Sequence, residues 1–164
     1  MVRRLFAHLF KGDMIKEQAK EEGEILRGAR AMNKQLRYGF LERQTRDYDL
    51  FSKKPKKAAY MLERKLDKVA KADQYYVKPA KHKGTWKVMD RGQNLQSEED
   101  DFGVVDYTEQ PKRVRTVNFN GVPMVHQSVR IMDAKRTLKN PEAEFRWEKE
   151  KDDLERIRAS RLLK

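Results

Sequence analysis

Residues 13–46, DMIKEQAKEEGEILRGARAMNKQLRYGFLERQTR, place Ile15, Ala19, Leu26, Ala29, Leu36 and Phe40 in steps of threes, fours and sevens, with Ile25 and Met32 widening the stripe. That period is the helical one and predicts a single long helix. Asp13 is placed to cap its start. Glu17, Glu21, Glu22 and Glu24 crowd the early turns, and Arg27, Arg30, Lys34, Arg37, Arg43 and Arg46 the later ones, an order that complements a helix dipole. Gly23, Gly28 and Gly39 each cost about 1 kcal/mol relative to Ala in a helix interior, so a bend or the close approach of a partner is expected at one of them.

On the C-terminal side, residues 47–57 read as a linker that ends in the basic cluster Lys53, Lys54, Lys56 and Lys57. Pro55 suits the first turn of a second helix over residues 55–74, with Ala58, Leu62, Leu66 and Val69 on one face. Periodicity then fails over residues 75–94, where Tyr75, Tyr76 and Trp86 alternate with Lys78, Lys81, Lys83 and Lys87. Pro79 and Gly84 argue for an extended course with at most a short strand at residues 85–89. Basic residues interleaved with aromatics suit contact with phosphates and unpaired bases; the plainer reading is a surface loop whose aromatics cap the two helices.

Residues 95–111 read as an acidic loop around SEEDD, residues 97–101, and residues 112–132 as a hairpin region. Within VRTVNFNGVPMV, residues 114–125, Asn120-Gly121 is a two-residue hairpin turn that sets Phe119 opposite Val122 and Val117 opposite Met124. Pro123 implies that the second strand is an edge strand. Lys112, Arg113 and Arg115 lead into the turn, and residues 102–107 offer a third strand. Asn140-Pro141 starts a helix over residues 140–164, thin in apolar content, with Trp147, Leu154 and Ile157 as anchors for a neighbouring subunit. The expected fold is therefore mainly α with a small β-hairpin. It is an extended, partner-ordered subunit with a basic amphipathic arm over residues 1–12, a helical region over 13–74 and a C-terminal helix.

The chain has 38 Lys and Arg against 26 Asp and Glu, a net charge of +12 in 164 residues. Such an excess points to a polyanionic partner. A charged fraction of 39% and a mean hydropathy of −1.00 leave little material for a large core. The absence of Cys excludes a disulfide scaffold, Cys-ligated zinc and thiol catalysis. No apolar run approaches the roughly 20 residues a membrane-spanning helix needs. The first residues combine Arg3, Arg4 and Lys11 with Leu5, Phe6, Leu9 and Phe10, either a mitochondrial targeting helix or a basic arm that packs into a neighbour.

Chemistry is harder to find. His8, His82 and His126 form no zinc motif, no Gly-rich phosphate loop or dinucleotide fingerprint occurs, and Ser52, Ser97, Ser128 and Ser160 lack a nucleophile-elbow context. The abundant carboxylate pairs read as solvated helix faces. No catalytic residue, metal or cofactor is expected. The sequence expectation is a non-catalytic structural component of a ribonucleoprotein, above all a mitochondrial ribosomal protein of the matrix, that binds rRNA phosphates and neighbouring subunits. Its RNA contacts would be Lys53, Lys54, Lys56, Lys57, Tyr75, Tyr76, Lys78, Lys81, Lys83, Trp86, Lys87, Arg113 and Arg115. The alternatives are an accessory subunit of a mitochondrial respiratory or ATP synthase complex with peripheral membrane contact, and a nuclear or nucleolar factor.

Overall fold

Residues 13–46 do not form one helix. In the computed structural model, which describes residues 2–163 and the side chains of residues 7–163, helix α1 spans Val2–Glu22 and stops at Gly23. Arg3, Arg4, Leu5 and Phe6 of the expected arm lie outside the described side chains. Gly23 adopts φ +67°, and the Glu24 N–H donates to the Ala19 carbonyl at 3.0 Å, a six-residue closure that satisfies the helix end. Strand β1, Ile25–Arg27, follows at once. Gly28, at φ +69°, turns the chain into the short helix α2, Gly28–Gln35. Two left-handed glycines thus cut a helical pattern into helix, strand and helix, a use of glycine that periodicity alone cannot see.

The rest of the chain supplies strand β2 (Tyr48–Ser52), helix α3 (Pro55–Ala70), and strands β3 (Tyr75–Pro79), β4 (Thr85–Asp90), β5 (Phe102–Glu109), β6 (Thr116–Phe119) and β7 (Val122–Val125). Helices α4 (Gln127–Thr137) and α5 (Trp147–Leu162) end it, with a 3-10 turn at Pro141–Arg146 between them. The strands form one seven-stranded mixed sheet in the order β3-β4-β5-β2-β1-β7-β6. The expectation of a mainly α, extended subunit is therefore corrected. The segment read as a linker supplies β2, the residues 102–107 that offered a third strand within the acidic segment supply most of β5, and the two pair in parallel at the centre.

The core lies on one face of this sheet. Ile15 and Ala19 of α1 and Ala59, Leu62 and Leu66 of α3 are fully buried against Leu50, Val88, Val105 and Tyr107 of the strands. Each large aliphatic side chain buried this way contributes about 1.5–3 kcal/mol. The turn at Asn120-Gly121 sets Phe119 opposite Val122 and Val117 opposite Met124, but β6 is the edge and β7 is interior. Pro123 is tolerated in β7 because the strand meets β1 only at Leu26↔Met124. Helix α5 lies against its own chain. Ile157 is 2% exposed, and the Trp147 Nε1–H donates to the Thr137 and Asn140 carbonyls at 3.0 and 3.2 Å. No helix among the described residues is long and apolar enough to cross a membrane.

Gln18 and Glu24 form a buried polar pair inside the helix–sheet layer. Glu24 is buried, Gln18 Nε2 donates to its Oε1 at 3.3 Å, and its Oε2 has no hydrogen-bond partner. Burial pushes its carboxyl up to about 7, against the opposing effect of the Gln18 bond. Between the unfolded value of 4.5 and about 7 the folded chain holds a proton that the unfolded chain has released. Stability therefore falls as pH rises through that window, by about 3 kcal/mol in all. Melting temperatures at pH 5.5 and pH 8 are expected to differ by several degrees in the native chain and much less in Glu24→Gln. Parallel pH profiles for the two proteins would assign the dependence to other groups.

Candidate active site

The second face of the sheet carries the polar residues, because side chains alternate across each strand. In β2, Tyr48, Leu50 and Ser52 are buried toward the helices, so Asp49 and Phe51 point the other way. The strand register then aligns five charged residues in one row across five neighbouring strands: Arg27 beside Asp49, Asp49 beside Asp106, Asp106 beside Lys87, and Lys87 beside Lys78. Neighbours in such a row stand about 4.8 Å apart in their backbones. Asp47, just ahead of β2, adds a third carboxylate to Asp49 and Asp106.

Burial holds the Asp49 carboxyl above the usual carboxylate range. Arg27 and Lys149 draw it down, while Asp47 and Asp106 push it further up. Asp106 accepts from Lys87 Nζ at 2.9 Å through Oδ2, and its Oδ1 is buried without a hydrogen-bond partner. Asp47 is held from two directions. Thr45 Oγ1 donates to its Oδ1 at 3.1 Å, and its carbonyl accepts from Arg30 Nε at 2.8 Å. Arg30, on α2, also donates to the Thr45 and Arg46 carbonyls at 3.2 and 3.0 Å and lies over the Tyr48 ring at 3.7 Å. The helix that begins at Gly28 thus fixes the backbone that carries Asp47.

Gly28 itself abuts Asp49: a Cβ at this position would stand 2.5 Å from Asp49 Oδ2. The positive φ and this approach together require glycine. The start of α2 with its free N–H groups faces a cavity of about 380 Å³ lined by Arg27, Gly28, Asp49, Arg136, Arg146 and Lys149, among others. Burial, then Arg43 and Arg146, hold the Lys149 ammonium below its ordinary value. Among the described residues no carboxylate lies within ion-pair distance of it. Six cations line the cavity against the three acids Asp49, Asp133 and Glu150, so its lining is net positive.

Its outer wall is a buried ion-pair network. Arg130 of α4 meets Glu150 and Asp153 of α5 at 2.5 Å each, Arg43 meets Asp153 at 3.2 Å, and Arg146 meets Glu150 at 3.0 Å. Both carboxylates are fully buried. The network fixes α5 over α4 and brings Lys149 toward Asp49.

On the other side of Asp47 and Asp106 lies a second, larger groove of about 790 Å³. Its lining includes Arg46, Lys78, Lys81, His82, Lys87 and Phe102. The three carboxylates stand between the two hollows. As a donor set they suit a hard divalent cation, which takes oxygen ligands. The unpartnered Asp106 Oδ1 and the like-charge pressure on Asp49 both fit one. The trio of described acidic residues with oxygens within 4.8 Å of one another lies elsewhere, at Glu63, Asp67 and Asp73. There Asp67 is committed to the N–H groups of Gln74 and Tyr75, at 2.9 Å each. The carboxylates of the sheet are more spread, Asp106 toward Lys87 and Asp47 toward Thr45.

The residues expected to touch RNA divide among several places. Lys78, Lys81 and Lys87 line the larger groove, and Lys83 lies in the loop beside it. Lys54, Lys56, Lys57 and Trp86 line a separate groove on the helix face, with Lys53 next to it. Tyr75 is buried at 1% exposure. Tyr76 donates its hydroxyl to Asp101 at 2.6 Å and has Arg91 over its ring. Arg113 and Arg115 precede β6 at the opposite sheet edge. The sequence expectation named no candidate residue in the cluster of Asp47, Asp49 and Asp106. The available signal was two acids with one residue between them, followed by Leu50 and Phe51, a period-2 strand pattern downstream of Gly28. Charge content had marked that stretch as linker.

No known family profile and no curated protein sequence matches this chain. Solved structures do. The fold is similar to the Megavirus polyadenylate synthase, with a TM-score of 0.77 at 20% identity over 98% of this chain and 32% of that one. It is also similar to JHP933 from Helicobacter pylori, with a TM-score of 0.52 at 14% identity over 84% of this chain and 57% of that one. The chain thus spans about a third of the first protein's length and little more than half of the second's. These likenesses show that the chain shares its fold with the Megavirus polyadenylate synthase and correct the expectation of a non-catalytic ribosomal or respiratory-complex subunit.

Proposed function

We propose that the chain is a nucleotidyltransferase, which moves a nucleoside monophosphate from a nucleoside triphosphate to a hydroxyl acceptor. The observation that carries this reading is the row in which Asp49 and Asp106 stand side by side at the start of the Gly28 helix, between two hollows. The smaller cavity suits the triphosphate, whose oxygens would meet the α2 N–H groups, Arg27 and Lys149. Asp47, Asp49 and Asp106 would hold a divalent cation. Such a cation supplies charge neutralisation at the reacting phosphate and acidifies a nearby hydroxyl. The acceptor oxygen attacks the α-phosphorus as the bond to the pyrophosphate oxygen breaks, and the hydroxyl proton passes to the Asp106 carboxylate. Lys87 keeps Asp106 turned toward the acceptor side.

The likeness to a polyadenylate synthase makes ATP the first donor to try. With magnesium and a mixed RNA acceptor, label from α-phosphate-labelled ATP is expected in the acceptor and label from γ-phosphate-labelled ATP in pyrophosphate. Transfer of the γ label would make the protein a kinase. Transfer of neither, with any ribonucleoside or deoxyribonucleoside triphosphate and either nucleic-acid or small-molecule acceptors, would end the nucleotidyl-transfer reading.

A further inference from the structure

The larger groove carries more charge than the reaction requires. From Asp106 the row continues through Lys87 to Lys78, and Arg46, Lys81 and His82 join them, while the acids facing the groove are Asp47 and Asp106. A cationic small acceptor would be repelled here, and a neutral one would have no use for this lining. Lys78 and Lys81 are exposed, and among the described residues neither forms an ion pair. Phe102 and Met89 give the same groove an apolar floor. A basic track with an apolar floor is the ordinary construction of a single-strand site.

The groove does not end at the sheet edge. The loop joining β3 to β4 is closed by the Ala80 N–H on the Thr85 carbonyl at 2.9 Å and the Thr85 N–H on the His82 carbonyl at 3.2 Å. Lys81, His82 and Thr85 of this turn face the groove. Gly84 and Trp86 face a third hollow of about 610 Å³ on the opposite side of the sheet, where Lys54, Lys56, Lys57 and Tyr60 join the lining and Glu109 is its one acid. Tyr60 is 40% exposed beside Trp86, with ring centroids 6.4 Å apart. Two basic, aromatic hollows thus share one narrow, lysine-bearing loop as their rim.

Building on the nucleotidyl-transfer reading, we propose that the acceptor is the 3′ end of a single-stranded nucleic acid. Its terminal hydroxyl lies at Asp106, and its upstream nucleotides cross the β3–β4 loop to the Tyr60–Trp86 hollow. Phosphates are met in order by Lys87, Lys78, Lys81 and then Lys56 and Lys57. The strand therefore wraps an edge of the sheet, and affinity grows with length until both hollows are filled.

The test is fluorescence anisotropy of end-labelled single-stranded oligonucleotides of about 4 and about 12 nucleotides, as RNA and as DNA, with the 164-residue chain. The longer strand is expected to bind at least about tenfold more tightly. Lys78→Glu with Lys81→Glu should weaken both lengths by about tenfold or more. Lys56→Glu with Lys57→Glu should weaken only the longer one, down to the affinity of the shorter. All four lysines are exposed, so these variants keep the fold, which a melting curve checks. Lys112→Glu with Arg113→Glu, an exposed pair outside these hollows, is the charge-matched control and should change affinity less than about threefold. Absence of binding, no dependence on length, or an equal loss in the control would overturn the proposal. The underlying reading fails separately. Length-dependent oligonucleotide binding without transfer from any triphosphate leaves the groove and removes the enzyme. Transfer to another acceptor, unaffected by Lys78→Glu with Lys81→Glu, leaves the enzyme and removes the groove.

Discussion

Asp49→Asn is expected to lower nucleotidyl transfer by about 10²–10⁴-fold and at the same time to raise the melting temperature. The two effects share one cause. Asp49 is a buried carboxylate beside two others, and its carboxyl stands above the usual range because burial and the neighbouring acids disfavour its charge. A group whose folded pKa is raised in this way opposes folding once it is ionised, so at neutral pH the wild-type chain carries a cost that asparagine removes. Each 1 kcal/mol of such relief would correspond to roughly 2–4 °C in a chain of this length. The gain should vanish at acidic pH, where the wild-type carboxyl is protonated. Asp106→Asn should show the same loss of activity without a comparable gain in stability, since Asp106 is already matched by Lys87 at 2.9 Å. Measured transfer rates and melting curves at neutral and acidic pH decide the matter. An Asp49→Asn protein that retains transfer would displace the reaction from this site, and one that loses stability along with activity would make Asp49 a structural residue.

Arg130→Ala is expected to produce the largest loss of stability. It leaves Glu150 and Asp153, both without solvent exposure, short of the cation that each meets at 2.5 Å. Breaking one side of a buried ion pair costs about 3–5 kcal/mol, because the remaining charge is neither hydrated nor neutralised. The melting temperature should fall by roughly 10 °C or more. Arg43 and Arg146 still meet one carboxylate each, at 3.2 and 3.0 Å, but both are partly exposed and cannot replace a cation shared by the pair. Adding Glu150→Gln and Asp153→Asn to Arg130→Ala should recover most of the loss, since no unpaired charge then remains. A triple variant as unstable as the single one would assign the effect to the packing of the Arg130 side chain.

What the sequence disclosed and what it hid follow from where each signal lies. The turn at Asn120-Gly121 carries its register in two adjacent residues, and Pro55 marks the start of α3 by fixing one dihedral. Such signals are local and survive any context. β1 is three residues long, and its Ile25 and Leu26 fall into the helical stripe by coincidence; only the positive φ of Gly23 and Gly28 reveals the breaks. One central strand was hidden by charge, since Asp47 and Asp49 made β2 resemble a linker, whereas the apolar residues of 102–107 already offered the strand that β5 becomes within an otherwise acidic segment. The candidate site was illegible for a related reason. Asp49 and Asp106 are 57 positions apart in sequence and meet only through a parallel pairing, which no spacing rule along one chain anticipates. Lys78, Lys81 and Lys87 were picked out for their charge, and the row that joins them to the carboxylates emerged only from the sheet.

The grip of Arg30 on three successive carbonyls bears on how the site moves. A single guanidinium, two residues beyond Gly28, joins the start of α2 to the backbone of Thr45, Arg46 and Asp47. The start of α2 and the carboxylate-bearing segment are therefore one rigid piece. Gly28, Asp47 and Asp49 thus hold their mutual distances independently of α5 and the Lys149 it carries.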